Sequence, residues 1–596
     1  HGVKNIYERK NILISANTGS GKTLTSFLSI LNYLVILAKK NELEDKVYCI
    51  YSSPLKALNN DIFVNLITPI NEIKEISKNK NISLQDIRVG LKTGDTSKAD
   101  RNKMLKKPPH IFITTPESLA IALATKKFIE SFYSVEFVII DEIHSLNNKR
   151  GVHLSISLEI LEELSNITPV RIGLSATISP LDRVANFLVG NNRECLISEI
   201  KNDKVVDIKV FSIKNIINLD YYDINNSMYK LLDKLIQEHK TTLIFTNTRA
   251  ATERIISHLK ELFPNNYVDN IGAHHSALSK EHRFEIEKKM RDGELKVVVS
   301  STSLELGIDI GFIDLVILLG SPKSSSRALQ RIGRSGHKLN DISKGRFIVL
   351  DRDDLVECSI LNKECIERKI DEISIPRNCL DVLSQQIYGM CIQKNWIIDD
   401  ILKLIKKSYC YSELKNEEFM SVISYLSGEY ALEHKNVYAK IWYDKNTKKI
   451  GKRGKMARVI YMTNIGTIPE ESFISVVISS GNEKGKKIGM IDESFLEKIK
   501  VGDVFVLGGK KYQFIFSRGM KAYVKECIKR NPSIPSWFSE QLPLSFDSAL
   551  EIGKFRKIIN NKIDKKDKKD NIIEFIKNYC YLEYEISESI YNSVII

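Results

Sequence analysis

Short apolar runs at residues 47–51, 111–114, 137–140 and 171–174 alternate with stretches whose apolar residues recur at helical spacing, up to about residue 200. Runs that are apolar at every position suit strands covered on both faces, so the pattern predicts a parallel sheet flanked by helices. A second series of the same kind begins at 242–245 and continues through 297–299, 315–319 and 347–350. The expected fold is α/β, with two doubly wound parallel-sheet lobes. The mixed-charge stretch 351–372 should lead out of the second lobe. Beyond it Leu380, Leu383, Ile387 and Met390 recur at helical spacing and mark a helix with a core-facing stripe. From about residue 438, runs at 459–463, 473–479, 504–507 and 512–516 are separated by glycine-rich turns, which predicts a small β-rich region. In 561–570, five lysines are interleaved with three aspartates, the composition of a solvated loop.

The turn between the first apolar run (12–14) and the helical period after it reads Ala16-Asn17-Thr18-Gly19-Ser20-Gly21-Lys22-Thr23. A side-chain-poor turn entering a helix aims backbone N–H groups at a phosphate, at the positive end of that helix. In such a loop Lys22 reaches the β- and γ-phosphates and Thr23 offers a hydroxyl to Mg²⁺, which predicts a nucleoside-triphosphate site. The following apolar stretch, 24–38, is broken by Thr25, Ser26, Ser29 and Asn32 and is shorter than the ~20 residues of a membrane span. It reads as the buried helix behind the loop, and no membrane partner is expected. The run 137–140 ends in Asp141-Glu142-Ile143-His144. Asp141 suits a Mg²⁺ ligand, and Glu142 suits the group that orients and deprotonates an attacking water.

Three further motifs follow: Ser175-Ala176-Thr177, Ser303-Leu304-Glu305-Leu306-Gly307-Ile308-Asp309, and Gln330-Arg331-Ile332-Gly333-Arg334-Ser335-Gly336-His337. With them the chain resembles the superfamily 2 DEXH-box helicases, in which one RecA-like domain carries the phosphate loop and the Asp-Glu pair and a second supplies arginines. The resemblance implies that Arg331 and Arg334, three residues apart on one helix turn, stabilise charge on the γ-phosphoryl oxygens. It adds Thr18, Gly19, Ser20, Gly21, Gly307, Asp309 and Gln330 to the nucleotide site. It also implies that His144, Ser175 and Thr177 couple hydrolysis to the grip on a strand.

Ser53-Pro54-Leu55-Lys56, Thr93-Gly94-Asp95-Thr96, Thr114-Thr115-Pro116-Glu117, Phe245-Thr246-Asn247-Thr248-Arg249 and Ala273-His274-His275-Ser276 narrow the resemblance to the Lhr (large helicase-related) group. Arg453, Arg458, Asn464-Ile465-Gly466-Thr467-Ile468-Pro469 and Pro535-Ser536-Trp537 carry it through the carboxyl-terminal part. It resembles the core-only form found in archaea and bacteria, without the long extension of some bacterial relatives. The resemblance implies domains at 1–205 and 206–365 (RecA-like), 366–435 (winged helix) and 436–596 (nucleic-acid platform). It places Lys56, Thr115, Arg249 and Arg453 on the nucleic acid and gives Ile468 and Trp537 apolar contacts to bases. Ile468 reads equally well as core; Trp537, among prolines, reads as exposed and stacking. The group's adenine-reading glutamine is not found in residues 1–15.

The net charge of +14 and pI of about 9.0 allow a polyanionic partner. From residue 431 onward 30 Lys and Arg face 20 Asp and Glu, which puts +10 of that +14 in the last quarter or so of the chain. Nine scattered cysteines without a Cys-x-x-Cys pair fit free thiols in a reducing, cytoplasmic setting and not an iron–sulfur cluster. The expected activity is an ATP- and Mg²⁺-dependent 3′ to 5′ translocase, monomeric, acting on single-stranded DNA and unwinding DNA or RNA:DNA duplexes, with a role in DNA repair. An ATP-dependent RNA helicase shares every motor motif and is the alternative. A non-catalytic clamp ranks below both, because Lys22, Glu142 and Arg334 are all present.

Overall fold

The structure is a computed structural model and describes residues 2–16, 20–200, 205–212, 221–305, 311–336, 341–349, 351–429, 439–467, 473–479, 485–527, 532–535, 537 and 542–595. The expectations for Thr18, Gly19, Gly307, Asp309 and Ile468 lie outside these residues. The chain forms two compact units, one of residues 1–201 and 372–469, the other of residues 202–371 and 470–596.

In the first unit, β1 (Ile12–Ala16), β2 (Cys49–Ser52), β3 (Val89–Lys92), β4 (Ile111–Thr114), β5 (Phe137–Ile140), β6 (Val170–Ser175) and β7 (Leu196–Ile200) form a parallel sheet in the order β3-β4-β2-β5-β6-β1-β7. β1, β2, β4, β5 and β6 are buried at every position, as a sheet covered on both faces requires. Because β6 lies between β5 and β1, the loops leaving these three strands emerge side by side. In such sheets ligands bind beyond the carboxyl ends of the strands, where these loops are.

The winged helix packs on this lobe through helices Leu380–Gln393, Ile398–Lys407 and Asn416–Ser427. Its wing is β14 (Trp396–Ile397), β15 (Ile441–Asp444) and β16 (Lys449–Lys452), antiparallel in the order β14-β16-β15. Leu383, Ile387 and Met390 are fully buried, whereas Leu380, at the first turn, is exposed. The run 459–463, expected as a strand, is helical within Ala457–Thr463. Packing overrides its β-propensity: Tyr461 sits over Gly389, where a Cβ would lie 2.5 Å from the Tyr461 hydroxyl. Tyr388 donates to the Ala457 carbonyl at 2.9 Å.

The second unit contains a parallel sheet of β8 (Val206–Phe211), β9 (Thr242–Phe245), β10 (Ile271–His274), β11 (Val297–Ser300), β12 (Leu315–Leu319) and β13 (Ser343–Ile348), in the order β10-β11-β9-β12-β13-β8. The stretch 351–372 is more than an exit segment. Most of it is the helix Arg352–Ile366, buried from Leu355 to Cys365. Its charges are matched across the contact with helix Phe546–Asp564: Lys363 Nζ lies 3.1 Å from Glu551, and Ser548 donates to Glu364 at 2.7 Å. The lysine-rich stretch 561–570 is exposed as expected, but it is the end of Phe546–Asp564, a short turn and the start of Lys569–Cys580.

The carboxyl-terminal sheet comprises β17 (Phe473–Ile478), β18 (Lys487–Asp492), β19 (Val504–Leu507), β20 (Lys510–Ser517) and β21 (Lys521–Glu526), in the order β18-β17-β21-β20-β19. Phe505, Phe514 and Val524 share a core with Ala277 and Leu278 of the lobe. Backbone bonds reinforce the seam, from the Ser279 amide to the Ile488 carbonyl (2.8 Å) and from the Met490 amide to the Ala277 carbonyl (2.7 Å).

Candidate functional site

β1 delivers the phosphate loop, and the helix Lys22–Lys40 starts directly after it. Gly21 caps that helix with φ 82°, a left-handed conformation that suits glycine. No side chain hydrogen-bonds to the first turn as a cap, so its N–H groups suit an anion. The Ser20 hydroxyl is buried without a hydrogen-bond partner among the described residues. Lys22 Nζ donates to the Ala16 carbonyl at 2.5 Å, folded toward the end of β1. A cavity of about 440 Å³, lined by Ser20, Lys22, Thr25 and Ser198 among others, lies at this corner.

Asp141 and Glu142 leave the end of β5, and both are buried. Thr23 Oγ1 is 3.5 Å from Asp141 Oδ2, and the Tyr51 hydroxyl donates to the same oxygen at 2.5 Å. Burial, and after it the charge of Glu142, raises the Asp141 carboxyl above the usual range. A hydroxyl beside a carboxylate is the oxygen donor set that suits Mg²⁺. Glu142 holds φ 49°, a left-handed conformation that costs a non-glycine residue on the order of 1–3 kcal/mol and tends to occur at functional sites. Its Oε2 is buried with no hydrogen-bond partner among the described residues.

His144 lies between this pair and the end of β6. Its Nδ1 is 3.3 Å from Ser175 Oγ and accepts from the Ala176 amide at 3.3 Å. Its Nε2 is 3.5 Å from Glu142 Oε2. By this hydrogen-bond pattern the ring proton is assigned to Nε2, facing Glu142. Thr177 follows two residues after Ser175 in the same loop.

In the second unit, Arg331 sits in the last turn of the helix Ser325–Ile332, and Arg334 lies just past its end at Gly333. They do not share a helix turn, yet both converge on Glu305. Arg331 donates to Glu305 Oε2 from Nε (3.1 Å) and Nη2 (3.0 Å), and Arg334 donates to the Glu305 carbonyl at 2.9 Å. Arg327 Nε approaches Glu305 Oε1 at 3.3 Å. Arg331 is only 1% exposed, and Gln330 beside it is half-buried. Sequence reasoning assigned no role to Glu305 or Tyr51; each lies within a recognised run or motif, but its partner is distant in sequence.

The residues expected to meet nucleic acid are mixed in character. Lys56 is exposed and pairs with Asp95 at 2.8 Å, which joins two of the motifs. Thr115 is buried and caps the helix Pro116–Leu123, accepting from the Ser118 amide. Arg249 opens the helix Arg249–Leu262, its guanidinium 5.6 Å from the centre of the Phe473 ring. Arg453 is exposed beyond the wing. Trp537 departs from expectation, because it is 8% exposed and belongs to the core. Its Nε1 donates to the Met490 carbonyl at 3.2 Å, and its ring lies 5.5 Å from that of His275. His275 in turn is held by Glu253 at 2.9 Å, whose carboxylate also accepts from the Gly508 and Gly509 amides.

Comparison with known proteins agrees with this geometry. Residues 2–184 match the DEAD/DEAH box helicase family, 226–338 the helicase conserved C-terminal domain, and 363–534 the winged helix domain of large helicase-related protein. The ATP-dependent helicase Lhr-Core of Methanothermobacter thermautotrophicus is 54% identical, over 99% of this chain and 69% of its own length. The Lhr-Core helicase of Saccharolobus solfataricus is 50% identical, over 99% and 67%. A solved structure of Mycobacterium smegmatis helicase Lhr, bound to ssDNA and AMP-PNP, superposes with a TM-score of 0.78 at 29% identity, covering 99% of this chain and 70% of that one.

A phosphate loop, an Asp-Glu pair and paired arginines on two parallel-sheet lobes define an ATP-dependent helicase. The chain belongs to the Lhr-Core family of these enzymes, and it spans about two thirds of the length of the relatives it matches.

Proposed function

We propose that this chain hydrolyses ATP to move 3′ to 5′ along single-stranded DNA, unwinding DNA or RNA:DNA duplexes in the service of DNA repair, as a cytoplasmic monomer. The observation that carries the reading is the line Thr23–Asp141–Glu142–His144–Ser175 across neighbouring strand ends. It sets a nucleotide-site hydroxyl, two carboxylates and a coupling motif within side-chain reach of one another. Support for DNA as the strand comes from the M. smegmatis structure, which holds ssDNA.

In this mechanism Lys22 and the amides of the loop hold the β- and γ-phosphates. Thr23 and Asp141 would hold Mg²⁺, which would supply charge neutralisation at the phosphates. Glu142 takes the proton of the attacking water. Arg334 and Arg331 are the cations assigned to the charge developing on the γ-phosphoryl oxygens. The family resemblance assigns Gly307, Asp309 and Gln330 to nucleotide binding as well. His144, facing Glu142 on one side and Ser175 on the other, carries the state of the nucleotide to the loop containing Thr177. Lys56, Thr115, Arg249 and Arg453 hold the strand, with Ile468 against a base.

The test measures ATP hydrolysis and strand separation on 3′-tailed and 5′-tailed DNA:DNA, RNA:DNA and RNA:RNA duplexes, with Lys22→Ala and Glu142→Gln alongside. DNA-stimulated hydrolysis with unwinding from the 3′ tail alone supports the proposal. Stimulation by RNA alone moves the assignment to RNA remodelling. Wild-type activity in Glu142→Gln removes the proposed base.

A further inference from the structure

The carboxyl-terminal sheet carries an aromatic pair that its strand pattern would otherwise have buried. Along β20, Tyr512 and Phe514 point into the core, 4% and 6% exposed, and strict alternation would send Phe516 after them. The register shifts between Phe514 and Phe516: Phe514 stands opposite Val524, and Phe516 opposite Tyr523. Ala522 and Val524 are buried, so Tyr523 between them faces away from the core, and the bulge brings Phe516 onto that face. The two rings stack at 4.5 Å between centroids and 16° between planes. Tyr523 covers one side of the Phe516 ring, and Phe516 remains 44% exposed, with Met520 56% exposed at the adjoining turn.

The surroundings are cationic. Arg518, Lys521 and Lys525 are exposed around the pair. Glu526, next to Lys525, is matched by Lys510 at 3.2 Å. Fixed, exposed rings among cations fit the bases and phosphates of an unpaired strand, because every base has a face to stack and every nucleotide a charge to neutralise.

We propose that Phe516, backed by Tyr523 and rimmed by Arg518, Lys521 and Lys525, is a base-stacking site for single-stranded nucleic acid. The proposal rests on the strand-binding reading above.

The experiment uses the full chain and fluorescein-labelled oligo-dT and oligo-U, read by anisotropy across a salt series, with thermal melts alongside. Phe516→Ala should weaken binding about 5- to 150-fold, and Phe516→Trp should restore it. Arg518→Glu combined with Lys521→Glu, at exposed positions, should weaken binding and flatten its salt dependence. That pair carries the test if Phe516→Ala lowers the melting temperature. Loss on both oligonucleotides, or on one of them, supports the site and states which strand it takes. Affinities within twofold of wild type in the alanine and the double-glutamate variants, with wild type binding and hydrolysing ATP, overturn the site and leave the motor reading intact. A wild-type chain that binds neither oligonucleotide overturns both.

Discussion

The Glu305 carboxylate grips the Arg331 guanidinium through Nε at 3.1 Å and Nη2 at 3.0 Å, where Arg331 is 1% exposed. Removing one partner of such a pair strands the other as a buried charge. Glu305→Ala should cost about 3 kcal/mol of stability in the second unit and depress ATP hydrolysis with it. Glu305→Gln, which keeps the shape and an acceptor, should lose less stability. Urea unfolding and steady-state ATPase on the two variants decide it, and an alanine variant as stable and active as wild type would refute the anchoring role.

Trp537 should behave as a core residue. Trp537→Ala removes a buried indole and should cost about 3–5 kcal/mol. Trp537→Phe keeps most of the packing, loses the bond to the Met490 carbonyl, and should cost about 1 kcal/mol. If Trp537→Ala instead unfolds at the wild-type urea concentration while losing affinity for single strands, the burial account is wrong.

The two lobes and their ATP motifs were legible in the sequence because parallel strands buried on both faces leave continuous apolar runs, and because a phosphate loop tolerates few residue types. Phe137–Ile140 with Asp141 and Glu142, and Val170–Ser175, fall where their runs place them. What failed depended on distant partners. The run 459–463 carries β-forming residues, yet Gly389 on another helix leaves a slot that seats Tyr461 of a helix. Trp537 sits among prolines that suggest a loop, and nothing local reveals that Met490 and His275 wait beneath it. The bulge at Phe514 and Phe516 is set by the pairing with β21, which alternation along β20 alone does not reveal.

Acid should loosen the first unit through His153. Its ring is fully buried on the helix Lys149–Leu164, and burial pushes its pKa down to about 4 against the opposing pull of Glu117 and Gln385. Between that value and the unfolded pKa of about 6.5 the unfolded chain binds more protons, so stability rises with pH across this window. The contribution is complete above about pH 6.5 and is lost as pH falls through about 4, up to roughly 3 kcal/mol. His153→Leu should flatten the acid limb of a stability-versus-pH curve while holding stability at pH 7. An unchanged acid limb would show that His153 does not titrate on unfolding.

His144 should matter more to coupling than to hydrolysis. Its Nδ1 contacts Ser175 and the Ala176 amide, while its Nε2 stands 3.5 Å from Glu142, outside hydrogen-bond geometry in this structure. Glu142 keeps its position without the ring, because its backbone amide donates to Asp141 Oδ1 at 2.8 Å and its carbonyl accepts from the Ser145 amide at 2.9 Å. His144→Ala therefore leaves the water-activating carboxylate in place and cuts its connection to the loop after β6. Stimulated ATP hydrolysis should fall only a few-fold, the scale of about one neutral hydrogen bond. Duplex unwinding per ATP consumed should fall at least tenfold, since the lost contact is the one that carries the nucleotide state to Ser175 and Thr177. Measuring both rates on one 3′-tailed duplex separates the possibilities: parallel losses would make His144 part of the hydrolytic machinery, and only an unequal loss fits a relay.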